Sequence, residues 1–135
     1  MRIMGLDIGD KRTGVALSDP GEILASPFTI IERSDEEHDI TAIITIITQY
    51  AVGKIIVGLP RSMAGTIGHQ AAKVEAFVER LRNHTEIPIE FQDERLSTVS
   101  ARQLMQSTGR KAKRKPRYDA AAAAVILQGY LEEQR

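Results

Sequence analysis

The stretch Met4-Gly5-Leu6-Asp7-Ile8-Gly9 decides the fold, because it places one carboxylate inside an otherwise strand-like apolar run. Side chains alternate between the two faces of a strand, so Met4, Leu6 and Ile8 share an apolar face while Asp7 lies between glycines on the other. Glycine within a strand is typical of a position where a ligand or another backbone comes close. The pattern predicts that Asp7 lies on the floor of a shallow groove. There it binds a charged partner, unless backbone donors alone satisfy it.

Length and composition predict one domain over residues 1–135, since the chain has 135 residues of which 42% are apolar. The absence of cysteine excludes disulfides and thiolate metal sites and agrees with a reducing cytosol. The first residues lack a basic region followed by an apolar run, and no window approaches the roughly 20 apolar residues of a membrane span. We therefore expect a cytoplasmic protein that does not enter a membrane.

The positive charge is concentrated in one segment, Arg110-Lys111-Ala112-Lys113-Arg114-Lys115-Pro116-Arg117. It holds six of the eighteen basic residues of a chain whose net charge is zero, so the rest of the chain is acidic. Basic side chains without interleaved aromatic residues favour contacts to phosphates over base stacking. A solvated tether is the alternative interpretation, because runs of like charge are often disordered.

The order of elements predicts an α/β fold. Three strands joined by short turns are followed by alternating helices and strands, which together predict a mixed five-stranded sheet flanked by helices. Pro27 within the third strand indicates an edge strand or a bulge. Ser34 with Glu37 has the spacing of a capping box, with serine at the cap. The predicted strands are 1–8, 15–18, 23–31, 54–58 and 87–91, and the helices after the first are 66–83, 97–107 and 118–133.

Two further acids lie where elements meet loops. Glu94 follows the strand that ends at Phe91, and strand ends are where α/β sheets bind ligands. Asp119 opens the last helix, and the alanines of Ala120–Ala124 are small enough to let that helix approach the sheet closely. We expect these two carboxylates to converge with that of Asp7, which would give an oxygen ligand set that suits one or two ions of Mg²⁺ or Mn²⁺. The alternatives are a helix-dipole role for Asp119 and a surface ion pair for Glu94.

The remaining candidates are cations and histidines. Lys11 and Arg12, in the turn after Asp7, are either phosphate contacts or ordinary turn residues, and Arg95 is a further candidate phosphate contact. No serine, histidine and acid are arranged for nucleophilic catalysis, and the glycines match neither a Rossmann fingerprint nor a Walker loop. Three histidines without metal-ligand spacing are expected at the surface: His38, His69 and His84.

The sequence closely resembles the YqgF family, also called RuvX, whose members are described as Holliday junction resolvases or pre-16S rRNA nucleases. The resemblance covers almost the whole chain and rests on four ordered motifs: 5–9 with 11–16, 57–60 with 63 and 65–66, 93–98, and 118–122 with 126–127. It implies a ribonuclease H-like fold with sheet order 3-2-1-4-5 and an antiparallel second strand. It also implies that Asp7, Glu94 and Asp119 are the active-site acids.

The chain departs from the family pattern in two places. Where this chain has Ser62, similar proteins commonly carry asparagine, and where it has Ala64 they carry an acidic or amide residue. Resolvases of the RuvC type have a further acid on the last helix, where this chain has Ala122. The first difference concerns the contacts that the loop 61–66 makes with the substrate. The second concerns whether the chain can complete a two-metal site.

The functional hypothesis is a metal-dependent endonuclease that processes the 5′ end of pre-16S rRNA in ribosome biogenesis. The alternatives are a Holliday junction resolvase acting on branched DNA and a non-catalytic RNA-binding ribosome-assembly factor. A nucleotide-binding role is disfavoured, because the actin-like ATPase fold needs two such domains. The sequence leaves the oligomeric state open.

Overall fold

The computed structural model describes residues 1–59, 69–93 and 115–134, apart from the side chains at 69, 70, 93 and 115–119. Within these ranges the chain forms five strands and three helices. The strands are β1 (Arg2–Ile8), β2 (Arg12–Ser18), β3 (Ala25–Glu32), β4 (Val52–Leu59) and β5 (Ile89–Asp93). The helices are α1 (Glu36–Tyr50), α2 (His69–Arg82) and α3 (Lys115–Glu133).

The strands form one sheet in the order β3-β2-β1-β4-β5. β2 is antiparallel to β1 and β3, whereas β1, β4 and β5 are parallel. The order and the antiparallel second strand confirm the expectation from the family resemblance. β3 is an edge strand, and its pairing with β2 shifts at Pro27, which pairs with Ala16 while Thr29 pairs with Val15. The predicted bulge is therefore confirmed, since proline cannot donate to the ladder.

Each face of the sheet packs against different helices. Met4, Leu6 and Ile8 lie in a core that also contains apolar side chains of α1 and α2. Ile3, from the opposite face of β1, lies in a second core with Leu127 and other residues of α3. The alternation predicted for β1 is confirmed, because its two faces meet different helices.

Most element boundaries differ from the prediction by a few residues, and three of these differences are the following. α1 is capped by Asp35, whose carboxylate accepts from the amide of His38, and the predicted cap at Ser34 is wrong by one residue. The amide of Ser34 instead donates to Asp39, so the helix begins one residue later. α3 begins at Lys115, earlier than the predicted 118, with Pro116 in the first turn where proline is tolerated. β5 begins after Pro88, whose carbonyl accepts from the amide of Ile55.

The predicted helix 97–107 and the loop 61–66 lie outside the described residues. In the part of the chain that is described, no helix is both long enough and apolar enough to cross a membrane.

Candidate active site

Asp7 lies near the carboxyl end of β1, the central strand of the sheet, and is partly buried. Its cross-strand partner in β2 is Gly14, which is buried. Gly5 precedes it on the same face of β1. The carboxylate is therefore flanked by residues without side chains, as the predicted groove requires.

α3 passes over this face at unusually short range. A Cβ atom built on Gly5 would lie 2.8 Å from Cβ of Leu127 and 2.9 Å from the carbonyl oxygen of Ala123. The alanines of the helix, four of which are buried, permit this approach (Ala120, Ala121, Ala123 and Ala124). The predicted close approach of the alanine-rich helix is confirmed.

The direction of α3 relative to β1 follows from two contacts. Nζ of Lys54 donates to the hydroxyl oxygen of Tyr130 at 2.7 Å, and Lys54 pairs with Ile3 at the beginning of β1. Because Ala123 lies over Gly5, the helix runs antiparallel to β1. Asp119 precedes Ala123 by one helical turn, about 6 Å, and Asp7 follows Gly5 by two residues, about 7 Å. The backbones of Asp7 and Asp119 are thus at the same end of this layer.

Glu94 lies outside the described residues, but the strand that precedes it is well defined. β5 is parallel to β1 through β4, and its last residue, Asp93, pairs with Leu59. The chain therefore leaves β5 at the same end of the sheet as the carboxyl end of β1, near Asp7. No group of three histidine, aspartate or glutamate side chains close enough to hold a metal occurs among the described residues. The side chains of Glu94 and Asp119 are not among them.

The turn between β1 and β2 begins two residues after Asp7. The amide of Gly9 donates to the carbonyl of Arg12 at 2.8 Å, and a Cβ atom on Gly9 would lie 2.9 Å from that same oxygen. Lys11 is exposed in this turn, and Arg12 pairs with Glu32 across the strands at 3.5 Å. The turn thus carries one exposed cation, Lys11, and one cation paired with Glu32, Arg12, within five residues of Asp7 in the chain.

The other predicted phosphate contacts are described in part or not at all. Lys115 and Arg117 lie in the first turns of α3, without described side chains. Arg95, Arg110, Lys111, Lys113 and Arg114 lie outside the described residues. His38 and His84 are exposed, as predicted, and the side chain of His69 is not described.

The sequence analysis missed a buried ion pair beside this turn. The carboxylate of Asp39 is only 3% exposed and lies 3.3 Å from Nε of Arg33. The guanidinium of Arg33 also donates to the carbonyl of Gly9 at 2.8 Å. A signal was present in the sequence, because Asp39 lies four and seven residues before Ile43 and Ile46, on the stripe that faces the core.

Two charged groups with shifted pKa values lie at the other end of the sheet. Hydrogen bonds to Glu90 and Tyr130 raise the pKa of Lys54 well above its ordinary value. Backbone amides, led by those of Leu24 and Ile23, lower the pKa of Asp19 in the turn after β2. These groups stabilise the end of the sheet away from Asp7 and do not contribute to the candidate site.

The fold is similar to that of two solved structures with Holliday junctions. Thermus thermophilus RuvC in complex with a Holliday junction substrate matches with a TM-score of 0.64 and 13% identity, over 99% of this chain and 96% of that chain. The fowlpox virus resolvase in complex with Holliday junction DNA matches with a TM-score of 0.59 and 14% identity, over 99% of each chain. The sheet order and these likenesses define a ribonuclease H-like fold, with Asp7 on its central strand.

Within this fold class, membership in a sequence family identifies the protein as a nuclease. A family model, RuvX, described as Holliday junction resolvase, matches residues 1–133. The chain belongs to this family. A protein of Desulforamulus reducens, named as a candidate pre-16S rRNA nuclease, is 50% identical over 133 residues, which cover 98% of this chain and 97% of that protein. A protein of Thermoanaerobacter pseudethanolicus with the same name is 49% identical over 137 residues, covering 100% and 99%.

Proposed function

We propose that this nuclease is a divalent-metal-dependent endonuclease that processes the 5′ end of pre-16S rRNA, with Asp7, Glu94 and Asp119 as its catalytic acids. The observation that carries the proposal is the position of Asp7. A carboxylate lies at the carboxyl end of the central strand, between glycines, under a helix that has no room to move closer. The names of the relatives supply the substrate, since both describe candidate pre-16S rRNA nucleases.

The donor set fits a hard divalent cation. Carboxylate oxygens are the ligands that Mg²⁺ and Mn²⁺ prefer, and the chain has no cysteine to favour a softer metal. Asp7, Glu94 and Asp119 would hold the cation. Their mutual repulsion would disfavour the ionised forms together without a cation. When bound, such a cation supplies Lewis-acid stabilisation of the charge that develops on the phosphate.

The protein's own residues account for substrate placement. Gly14 pairs with Asp7 across the strands and places no side chain beside it, which would let a phosphodiester approach the carboxylate. Lys11 and Arg12 would bind backbone phosphates next to the scissile bond. Arg95 and the basic residues of 110–117 would bind further backbone phosphates of the nucleic acid.

Branched DNA is a second candidate substrate. The matching family model is described as Holliday junction resolvase, and the two structural neighbours are resolvases with junction DNA. Because those neighbours share less than 15% identity with this chain, they support the fold and not the choice of substrate. A cleavage assay has to compare both nucleic acids directly.

The test is cleavage of a precursor 16S rRNA fragment and of a four-way DNA junction, each with Mg²⁺, with Mn²⁺ and with EDTA. We expect cleavage of the RNA with either metal and none with EDTA. In Asp7→Asn the rate should fall by about 100-fold or more, because changes to groups that only hydrogen-bond a metal ligand already cost about 10- to 100-fold. Undiminished cleavage by Asp7→Asn would exclude the mechanism, and faster cleavage of the junction would exclude the RNA as preferred substrate.

The matched control is Asp10→Asn, three residues farther along the chain. Asp10 is an exposed acid whose side chain lies 3.6 Å from Nζ of Lys73. The two variants make the same change of charge and shape within the same segment. Only Asp7→Asn should lose activity, whereas equal losses in both would indicate a general electrostatic effect.

A further inference from the structure

We propose that Arg33 is a positioning residue that holds the turn between β1 and β2, and so fixes Lys11 for contact with a substrate phosphate. This inference rests on the proposed function, in which Lys11 is a phosphate contact. Arg33 directly follows β3 and is distant in sequence from the turn at residues 9–11.

Arg33 joins the turn through two hydrogen bonds. Its Nη1 donates to the carbonyl of Gly9 at 2.8 Å, and its backbone amide donates to the carbonyl of Lys11 at 2.9 Å. A further hydrogen bond runs within the turn, from the amide of Gly9 to the carbonyl of Arg12. The side chain and backbone of one residue therefore bind the two ends of the segment that presents Lys11.

The guanidinium itself is held rigidly. Its Nε lies 3.3 Å from Oδ2 of Asp39, and its Cζ lies 5.2 Å from the centroid of the Phe77 ring. Asp39 is fixed in turn, since its other oxygen accepts from the amide of Ser34 at 3.2 Å. Because a guanidinium is planar, an ion pair on one edge and a ring on one face determine where its remaining donors point. The Nη1 group of Arg33 is therefore oriented toward the carbonyl of Gly9.

A buried charge pair in this position has a clear structural consequence. The carboxylate of Asp39 is 3% exposed, and such a group is costly to bury without a partner. The pair ties the first turn of α1 and the core face of α2 to the β1–β2 turn. It therefore connects the helical layer on one face of the sheet to the segment that borders Asp7.

Arg33→Lys tests the positioning role of Arg33 separately from the effect of its positive charge. It keeps the positive charge opposite Asp39, but a lysine ammonium cannot bind Asp39 and Gly9 in the same fork. The affinity for a precursor 16S rRNA fragment is measured as a function of salt concentration without divalent ions, so cleavage is not required. A lost phosphate contact reduces the slope of log affinity against log salt by about one.

We expect Lys11→Met and Arg33→Lys each to reduce the slope by about one, and the double variant to reduce it no further. The reduction in Arg33→Lys cannot arise from charge, because the substitution conserves it. Arg80→Lys is the matched control, since Arg80 pairs with Glu36 between α2 and α1, away from the turn. Its slope should equal that of the original chain.

The outcomes distinguish the two proposals. A normal slope in Lys11→Met refutes the phosphate contact that belongs to the proposed function. A reduced slope in Lys11→Met with a normal slope in Arg33→Lys refutes the positioning role alone. Amide hydrogen exchange supplies an independent readout, because the amide of Gly9 should lose protection in Arg33→Lys, and unchanged protection would overturn the inference.

If Arg33→Lys does not fold, Arg33→Met combined with Asp39→Leu takes its place. The pair of substitutions also conserves net charge, and it leaves no unpaired carboxylate in the core. The same loss of slope and of Gly9 protection is expected. A folded double variant with both values unchanged would refute the role of Arg33.

Discussion

Replacing Gly5 with alanine tests the close contact between β1 and α3. The added Cβ atom would lie 2.8 Å from Cβ of Leu127 and 2.9 Å from the carbonyl oxygen of Ala123. Favourable contacts between carbon atoms begin at about 3.5 Å, so the helix and the strand would have to separate by about 0.5 Å or more. No rotamer change relieves the conflict, because one atom belongs to the backbone and the other is bonded directly to it.

The expected cost follows from two opposing terms. Overpacking of a core typically costs about 1–3 kcal/mol. Removing a glycine from the unfolded chain returns about 0.4–1 kcal/mol of stability. We therefore expect Gly5→Ala to lower the free energy of unfolding by about 1–2 kcal/mol, which for a chain of this length lowers Tm by about 3–10 °C.

The assay is urea unfolding followed by circular dichroism, with Gly53→Ala as the matched control. A Cβ atom on Gly53 would lie 1.7 Å from the sulfur of Met1, which is closer than either contact at Gly5. Met1 is 73% exposed, however, so its flexible side chain can move aside into solvent. Gly53→Ala should change stability by less than about 0.5 kcal/mol.

Equal stabilities of the two variants would refute the argument that backbone contact at Gly5 sets the spacing of the layers. Leu127→Ala adds a second check, because alanine retains the Cβ atom that Gly5→Ala would meet. It should therefore fail to restore the stability of Gly5→Ala. Under the proposed function, Gly5→Ala should also reduce cleavage, since the displaced helix carries Asp119.

Two further predictions concern the caps and turns. Asp35→Ala should lower the free energy of unfolding by about 1 kcal/mol through loss of the bond to the His38 amide, whereas a larger loss in Ser34→Ala would show that the cap is assigned wrongly. Asp19→Asn should lower Tm near neutral pH, because the Asp19 carboxylate accepts from three backbone amides. Since these bonds lower the pKa of Asp19 below 3.8, its stabilisation is present above that pH and is lost as the pH falls through the lower folded value. The Tm difference from the original chain should therefore shrink in acid, and a difference that stays constant with pH would contradict the assignment.

Local pattern predicted the parts of the fold that depend on residues close in sequence. The alternation around Asp7 assigned the faces of β1 correctly, and Pro27 indicated the bulge in the edge strand. The cap was misplaced because Ser34 and Asp35 are both good capping residues. What decided between them was the carboxylate of Asp39, which binds the amide of Ser34.

The Arg33–Asp39 pair could not be predicted from its neighbours alone. The spacing of Asp39 from Ile43 and Ile46 indicates that it faces the core, but it does not identify the partner of the carboxylate. Arg33 becomes its partner only in the folded chain, where the guanidinium also binds the carbonyl of Gly9 and lies over the ring of Phe77. The convergence of Asp7 with Glu94 and Asp119 was an expectation of the same kind, and it stays a prediction.

The position of Asp119 is determined by contacts at the other end of α3. Tyr130 binds Lys54 at 2.7 Å, and Gln128 accepts from the amide of Ala25 at 2.8 Å. Between these contacts and Asp119, the helix rests on Gly5 without room for a Cβ atom. The first turns of α3 continue from these contacts toward the end of the sheet near Asp7. The contacts that stabilise one end of the sheet therefore also determine where the backbone of Asp119 lies at the other end, and its convergence with Asp7 is the prediction that follows.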